Sequence, residues 1–231
     1  MIRQSLTIAG KALCRLRLFL VLAAAVSPKS VADQNLIPDP TFSIGVSAWK
    51  TRGALPARLD WIGTAGADGA VGFARLTALT GGPGAFFANV CVPVQSGKTY
   101  SWGGFLHFAA QQNAGAFFTV DFFADSACAD PNSLLHANGP SLAGGSANPN
   151  TWYLTASPDI VAPATAASVL LEVQLSSLAV SSTAVDFDNV YFGTQGTGPP
   201  VAASVPMVSI SALLLLATAL AAVGVWRLTN R

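Results

Sequence analysis

Between Tyr100 and Phe108 the chain alternates. Tyr100, Trp102, Leu106 and Phe108 share one parity, and Ser101, Gly103 and His107 take the other. The same period returns where Leu171, Val173 and Leu175 alternate with Glu172, Gln174 and Ser176. A repeat of two puts one face in a core and the other in water; a helix, with its ~3.6-residue repeat, would scatter these side chains around its axis. Residues 34–193 also lack long Ala/Leu/Glu/Lys windows, and Gly and Pro recur throughout. Segments rich in aromatic and β-branched residues, bounded by turn clusters, predict strands near 57–63, 70–79, 85–94, 98–108, 116–124, 151–157, 167–177 and 184–193. Strands in that number, joined by Gly/Pro turns, make an all-β, two-sheet sandwich of the jelly-roll kind. The span from residue 34 to 193 is long enough for one core.

The net charge of +1 hides a segregation of sign. Residues 34–193 hold five basic residues (Lys50, Arg52, Arg58, Arg75 and Lys98) and ten acidic ones, a formal charge of −5. Nucleic acid needs a basic face to neutralise phosphates, so that class of partner is excluded. The remaining basic residues sit at the two ends.

Residues 1–32 read as a secretory signal peptide. Arg3, Lys11, Arg15 and Arg17 precede an uncharged run from Leu18 to Val26, and the small-residue pattern Ser30-Val31-Ala32 places cleavage before Asp33. The run is far shorter than the ~20 residues needed to cross a bilayer. Cys14 precedes the run and so is no lipid attachment site. At the other end, 207–226 is an uncharged stretch of the length that spans hydrocarbon at ~1.5 Å per residue. Trp226 suits the interface, and Arg227 and Arg231 mark a cytoplasmic tail. The expected topology is an exported domain held outside the cytoplasm, periplasmic or at the cell surface, by one crossing. A Gly/Pro linker over 194–204, beginning Thr194-Gln195-Gly196-Thr197-Gly198-Pro199-Pro200, separates domain from span.

The tail resembles the short C-terminal sorting signals of Gram-negative surface proteins, specifically the IPTL-CTERM type of the PEP-CTERM group. Val205-Pro206-Met207-Val208-Ser209 stands where such signals open, followed by the apolar span and the closing arginines. The resemblance implies a sorting or processing enzyme as a partner. A plain membrane anchor is the other reading of the same residues.

Cys91 and Cys128 remain after signal removal. Export makes a disulfide between them the default. A metal site on two cysteines would need His107 or His136, and neither has ligand spacing.

The domain is similar to the galactose-binding-like β-sandwich found in many carbohydrate-binding modules. The similarity rests on Asn35-Leu36 with Phe42 and Trp49 after it, on Gly97-Lys98-Thr99-Tyr100, on Trp152-Tyr153-Leu154 followed by Val161-Ala162-Pro163, and on the closing Phe187-Asp188-Asn189-Val190. It implies carbohydrate or extracellular-matrix binding. It also implies a possible structural calcium at Asp186 and Asp188, although Ser43 stands where the family often carries Glu. Aromatic faces stack on sugar rings and a few polar groups orient them. The candidate ligand-binding residues are therefore Trp49, Arg52, Trp61, His107, Glu172 and Gln174, with Trp102 and Trp152 read as core. The other reading is a structural or protein-interaction surface domain with no sugar site.

No catalytic residue is assigned. Neither histidine lies in a nucleophile motif, and of the carboxylates Asp121 and Asp125 the second begins a turn. A mature N-terminus at Asp33 is expected, checked by N-terminal sequencing of the protein recovered from membranes; a chain still beginning at Met1 would contradict the cleavage.

Overall fold

The computed structural model describes residues 34–179 and 182–199. The signal peptide, its cleavage point, the 207–226 span and the sorting signal lie outside the described residues. Twelve strands follow in chain order: β1 Lys50–Arg52, β2 Ala57–Ala65, β3 Val71–Ala78, β4 Gly84–Pro93, β5 Thr99–His107, β6 Ala114–Phe123, β7 Leu135–Asn138, β8 Leu142–Ala143, β9 Tyr153–Ala156, β10 Ile160–Val161, β11 Ser168–Ser177 and β12 Ala184–Thr194. There is no helix among the described residues.

The strands form two antiparallel sheets. In the first the order is β1-β4-β11-β6-β7, with β8 also on β6; in the second it is β10-β5-β12-β3-β2, with β9 also on β5. The inner faces meet in one core. Val169, Leu171, Val173 and Leu175 of β11 are fully buried, as are Phe118 and Phe122 of β6, Leu106 of β5 and Phe187 and Phe192 of β12. Space is tight enough that a Cβ on Gly104 would stand 2.7 Å from the Phe118 ring, so β5 passes there without a side chain.

The first and last segments are bound together. Asn35 donates to the Val190 carbonyl at 2.9 Å and accepts from the Phe192 amide at 3.1 Å, and Leu36 N–H donates to Phe192 O at 2.7 Å. The pairing of β12 with β5 slips between Asp188 and Tyr191, where Asn189 takes a φ of 47°. Asn tolerates that left-handed conformation better than most side chains, so the strand bends there.

Each of the eight strands expected from alternation is present, with ends shifted by two residues or fewer. The sequence pattern missed β1, β7, β8 and β10, which have two to four residues each. A strand that short completes no period, and its place is set by the neighbour that it pairs with. The stretch read as a linker from Thr194 is partly built into the domain. Thr194 ends β12, Gln195 N–H donates to Thr99 O at 3.0 Å, and Thr197 is buried.

The expected disulfide is present, joining Cys91 on β4 to Cys128 in the β6–β7 loop with Cα atoms 6.1 Å apart. The loop that it closes implies a stabilisation of roughly 3–4 kcal/mol in the chain-entropy model. Reduction, or Cys91→Ser with Cys128→Ser, should lower the denaturant midpoint by a free energy of that order. Phe118→Ala should cost about 3–5 kcal/mol. Equilibrium urea unfolding measures both.

Candidate functional site

Directly opposed residues of an antiparallel pair project from the same face. In the first sheet, Val90, Leu171 and Val120 face the core, so their neighbours in sequence project outward. Three rungs of side chains then cross the outer face. The first is Arg52, Phe87, Gln174 and Phe117; the second is Lys50, Asn89, Glu172, Thr119 and Asn138; the third is Cys91, Leu170, Asp121 and His136.

Glu172 lies at the centre, 1% exposed. A buried carboxylate is stable only if paired and hydrogen-bonded. Arg52 reaches in from edge strand β1, passing over the Phe87 ring at 5.4 Å. Its Nε donates to Glu172 Oε1 and its Nη2 to Oε2 at 2.5 Å, while Thr119 Oγ1 donates to Oε2 at 3.4 Å. Arg52 Nη2 also stands 3.8 Å from Asp121 Oδ2, and His136 Nδ1 is 2.9 Å from Asp121 Oδ1. One charged network thus crosses β1, β11, β6 and β7. The hydrogen bond to Glu172 raises the Arg52 guanidinium above its ordinary pKa and outweighs its partial burial. Phe87 and Phe117 on the first rung are half-buried, and Gln174 Nε2 donates to Ser176 Oγ at 2.9 Å.

The six sequence-derived candidates do not form one site. Arg52, Glu172 and Gln174 share this face. His107 stands on the other sheet, on β5. Its Nδ1 is 3.0 Å from Asp186 Oδ2 and its Nε2 is 2.7 Å from the Pro149 carbonyl, so both ring nitrogens meet acceptors. The hydrogen bond to Asp186 raises the His107 pKa. The residue pins the 149–152 segment, with the Trp152 ring 4.9 Å from its own and tilted by 30°. Trp152, read as core, is instead half-buried on that outer face, edge-on to Phe73. Trp102 is core, as expected.

Trp49 is corrected. It is 5% exposed, with its ring 5.8 Å from Phe42 and 5.2 Å from Phe187, so it fills the sandwich and has no open face for a sugar. Trp61 is 44% exposed on edge strand β2 and donates its indole N–H to the Phe42 carbonyl at 2.7 Å, away from the polar rungs.

The residues do not fit the calcium set that the resemblance implies. Asp186 accepts from Arg75 at 2.5 and 2.8 Å and faces His107. Asp188 accepts the Ala67 amide on Oδ2 and the Asn189 amide on Oδ1, each at 2.7 Å. Gly66 lets the backbone come this near, since a Cβ there would stand 2.1 Å from Asp188 Oδ2. No group of three or more His, Cys, Asp or Glu suited to a metal occurs among the described residues. Burial pushes the Asp188 carboxyl up to about 7.

Sequence reasoning passed over Lys50, Phe87, Asn89, Phe117 and Thr119, and it weighed Asp121 and His136 only for catalysis and metal binding and set them aside. The β6 residues were legible: Phe117, Thr119 and Asp121 alternate with the apolar Phe118, Val120 and Phe122. His136 was not, because its strand is placed only by pairing with β6.

These groups predict a pH dependence of stability. Asp188 has a raised pKa, so from about pH 4 to 7 the folded chain holds a proton that the unfolded chain has released, and stability falls as pH rises through that window. His107, raised by Asp186, contributes stability that is complete below its ordinary pKa and lost as pH rises through its folded value. The slopes have the same sign. Thermal unfolding should show lower stability at pH 8 than at pH 5, with Asp188 contributing roughly 3 kcal/mol of the difference, and Asp188→Asn should remove most of the slope.

No family model matches the chain, and no curated protein matches it in sequence. Solved structures match it in fold. The enzymatically active domain of bacteriophage CBA120 tailspike protein 4 aligns with a TM-score of 0.51 at 14% identity, over 69% of this chain and 21% of that one. The CBM22-1 and GH10 modules of a Clostridium thermocellum endo-1,4-beta-D-xylanase, complexed with xylohexaose, align with a TM-score of 0.52 at 16% identity, over 71% of this chain and 29% of that one. A xylan-binding domain of carbohydrate-binding family 22 aligns with a TM-score of 0.50 at 16% identity, over 72% of this chain and 99% of that one. The chain thus spans less than a third of the first two structures and nearly all of the third. Its two-sheet sandwich has the fold of carbohydrate-binding modules.

Proposed function

We propose that this is an exported, membrane-tethered envelope protein whose sandwich binds carbohydrate on the outer face of the first sheet. The observation that carries the reading is the Arg52–Glu172–Asp121–His136 network, standing beside Phe87 and Phe117 on the adjoining rung. Sugars are recognised by fixed polar groups beside apolar ring faces. Here salt bridges hold the polar groups before a ligand arrives, which reduces the ordering cost of binding. Gln174 and Asn138 add amide groups on the same face.

The solved structures support the reading through what their own names state: one is a xylan-binding domain, and another holds xylohexaose. The geometry favours binding over turnover. Both Glu172 oxygens face Arg52, so neither is directed at an incoming glycosidic oxygen. The tether rests on the uncharged 207–226 stretch and the arginines after it, and export on the N-terminal pattern. Calcium has no part in this reading.

The purified protein should retard in affinity gels that contain soluble xylan or galactan. Phe87→Ala and Phe117→Ala should each weaken binding about fivefold or more, without a matching loss of thermal stability. Trp61→Ala should leave binding intact. Failure to bind any polysaccharide would favour a structural or protein-interaction role for the domain.

A further inference from the structure

A cleft of about 370 Å³ opens where β1 lies beside the Cys91–Cys128 disulfide, with Lys50, Arg52, Asn89, Cys91, Ala127 and Cys128 among its lining residues. Its size lies within the range of small-ligand sites. Two of its lining side chains are cations and none is a carboxylate, although residues 34–193 as a whole carry a formal charge of −5.

Three donors in its lining lack partners among the described residues. Lys50 is exposed and makes no ion pair. Arg52 gives Nε and Nη2 to Glu172 and keeps Nη1 uncommitted, with its side chain 48% exposed. Asn89 is 9% exposed, and its Nδ2 is buried without a hydrogen-bond partner. A buried donor left unmade costs about 1–3 kcal/mol, and native structures seldom keep one without a reason. Lys50 stands directly opposite Asn89 in the β1–β4 register, and both line the cleft. The disulfide and the β1 backbone hold the walls in place.

We infer that this cleft is an anion subsite for an acidic sugar residue, whose carboxylate or sulfate meets Lys50, Arg52 Nη1 and Asn89 Nδ2. The inference rests on the carbohydrate-binding reading and deepens it. Asn89 and Lys50 share the second rung with Glu172, so a glycan lying across the polar face enters the cleft at the β1 edge. The ligand is thus an acidic polysaccharide, gripped by its anionic group at one end of the face and by its hydroxyls along the rest. The overall negative charge of the domain repels polyanions, so a preference for them has a local source.

The test uses the full chain in mild detergent and two matched pairs of polymers: polygalacturonate with its carboxyl-reduced form, and dextran sulfate with dextran. At low salt, the acidic member of at least one pair should bind tenfold or more tighter than its neutral twin, and the preference should shrink as salt rises. Which pair shows it distinguishes carboxylate from sulfate. Lys50→Met should abolish the preference at unchanged Tm, and Lys50→Arg should restore it. Asn89→Leu should weaken acidic binding and raise Tm, since it removes the unpaired amide. Equal binding of both members in both pairs would overturn the inference and leave the carbohydrate reading standing. A preference that survives Lys50→Met would also overturn it. No binding to any of the four polymers would overturn the inference alone; the carbohydrate reading falls with it only if xylan and galactan also fail to bind.

Discussion

The structure is organised around β11, which pairs over ten residues with β4 on one side and with β6 on the other. Strict alternation along it sends Leu171, Val173 and Leu175 into the core and Glu172 and Gln174 to the outer face. That arrangement places an ionisable group where water hardly reaches. A carboxylate so enclosed stays ionised only with a cation at hand; Arg52 supplies it, brought across the sheet by the pairing of β1 with β4. The local structure of the edge strand follows from the electrostatics of the central one.

The same rule recurs on the opposite sheet with another outcome. Asp186 on β12 is buried and takes both Arg75 and His107, which ties β3, β5 and the 149–152 segment together. Asp188, two residues on, has amides but no cation, and its carboxyl is correspondingly hard to ionise. Of the four buried carboxylates among the described residues, Glu172 and Asp121 share Arg52 and lie on a face that also bears aromatic rings and a cleft, while Asp186 and Asp188 belong to the opposite sheet. Burial of charge therefore separates a framework contact from a candidate binding surface.

The two cysteines serve that surface as well as stability. The disulfide holds the β6–β7 loop against β4 and forms one wall of the cleft beside Lys50. The connection that leads to β7 also delivers His136 to Asp121, completing the network at its far edge. These links explain how a face assembled from five strands keeps one geometry without a helix to brace it.

Alternation and turn residues determined the all-β class, eight of the twelve described strands and, with export assumed, the disulfide, because a two-residue period and a pair of cysteines carry their physics locally. They also placed Glu172 and Gln174 on the polar side of their strand. Only the tertiary structure decided which of these side chains meet. Trp49 and Trp61 look alike in sequence, yet one fills the core and the other lies half-open at an edge. Arg52 and Glu172 lie 120 positions apart and form one ion pair. The edge strands β1 and β7 are too short to carry a period, and their partners assign their register. A site built from neighbouring strands of a sandwich is a property of strand order, and strand order is a long-range choice that no local window encodes.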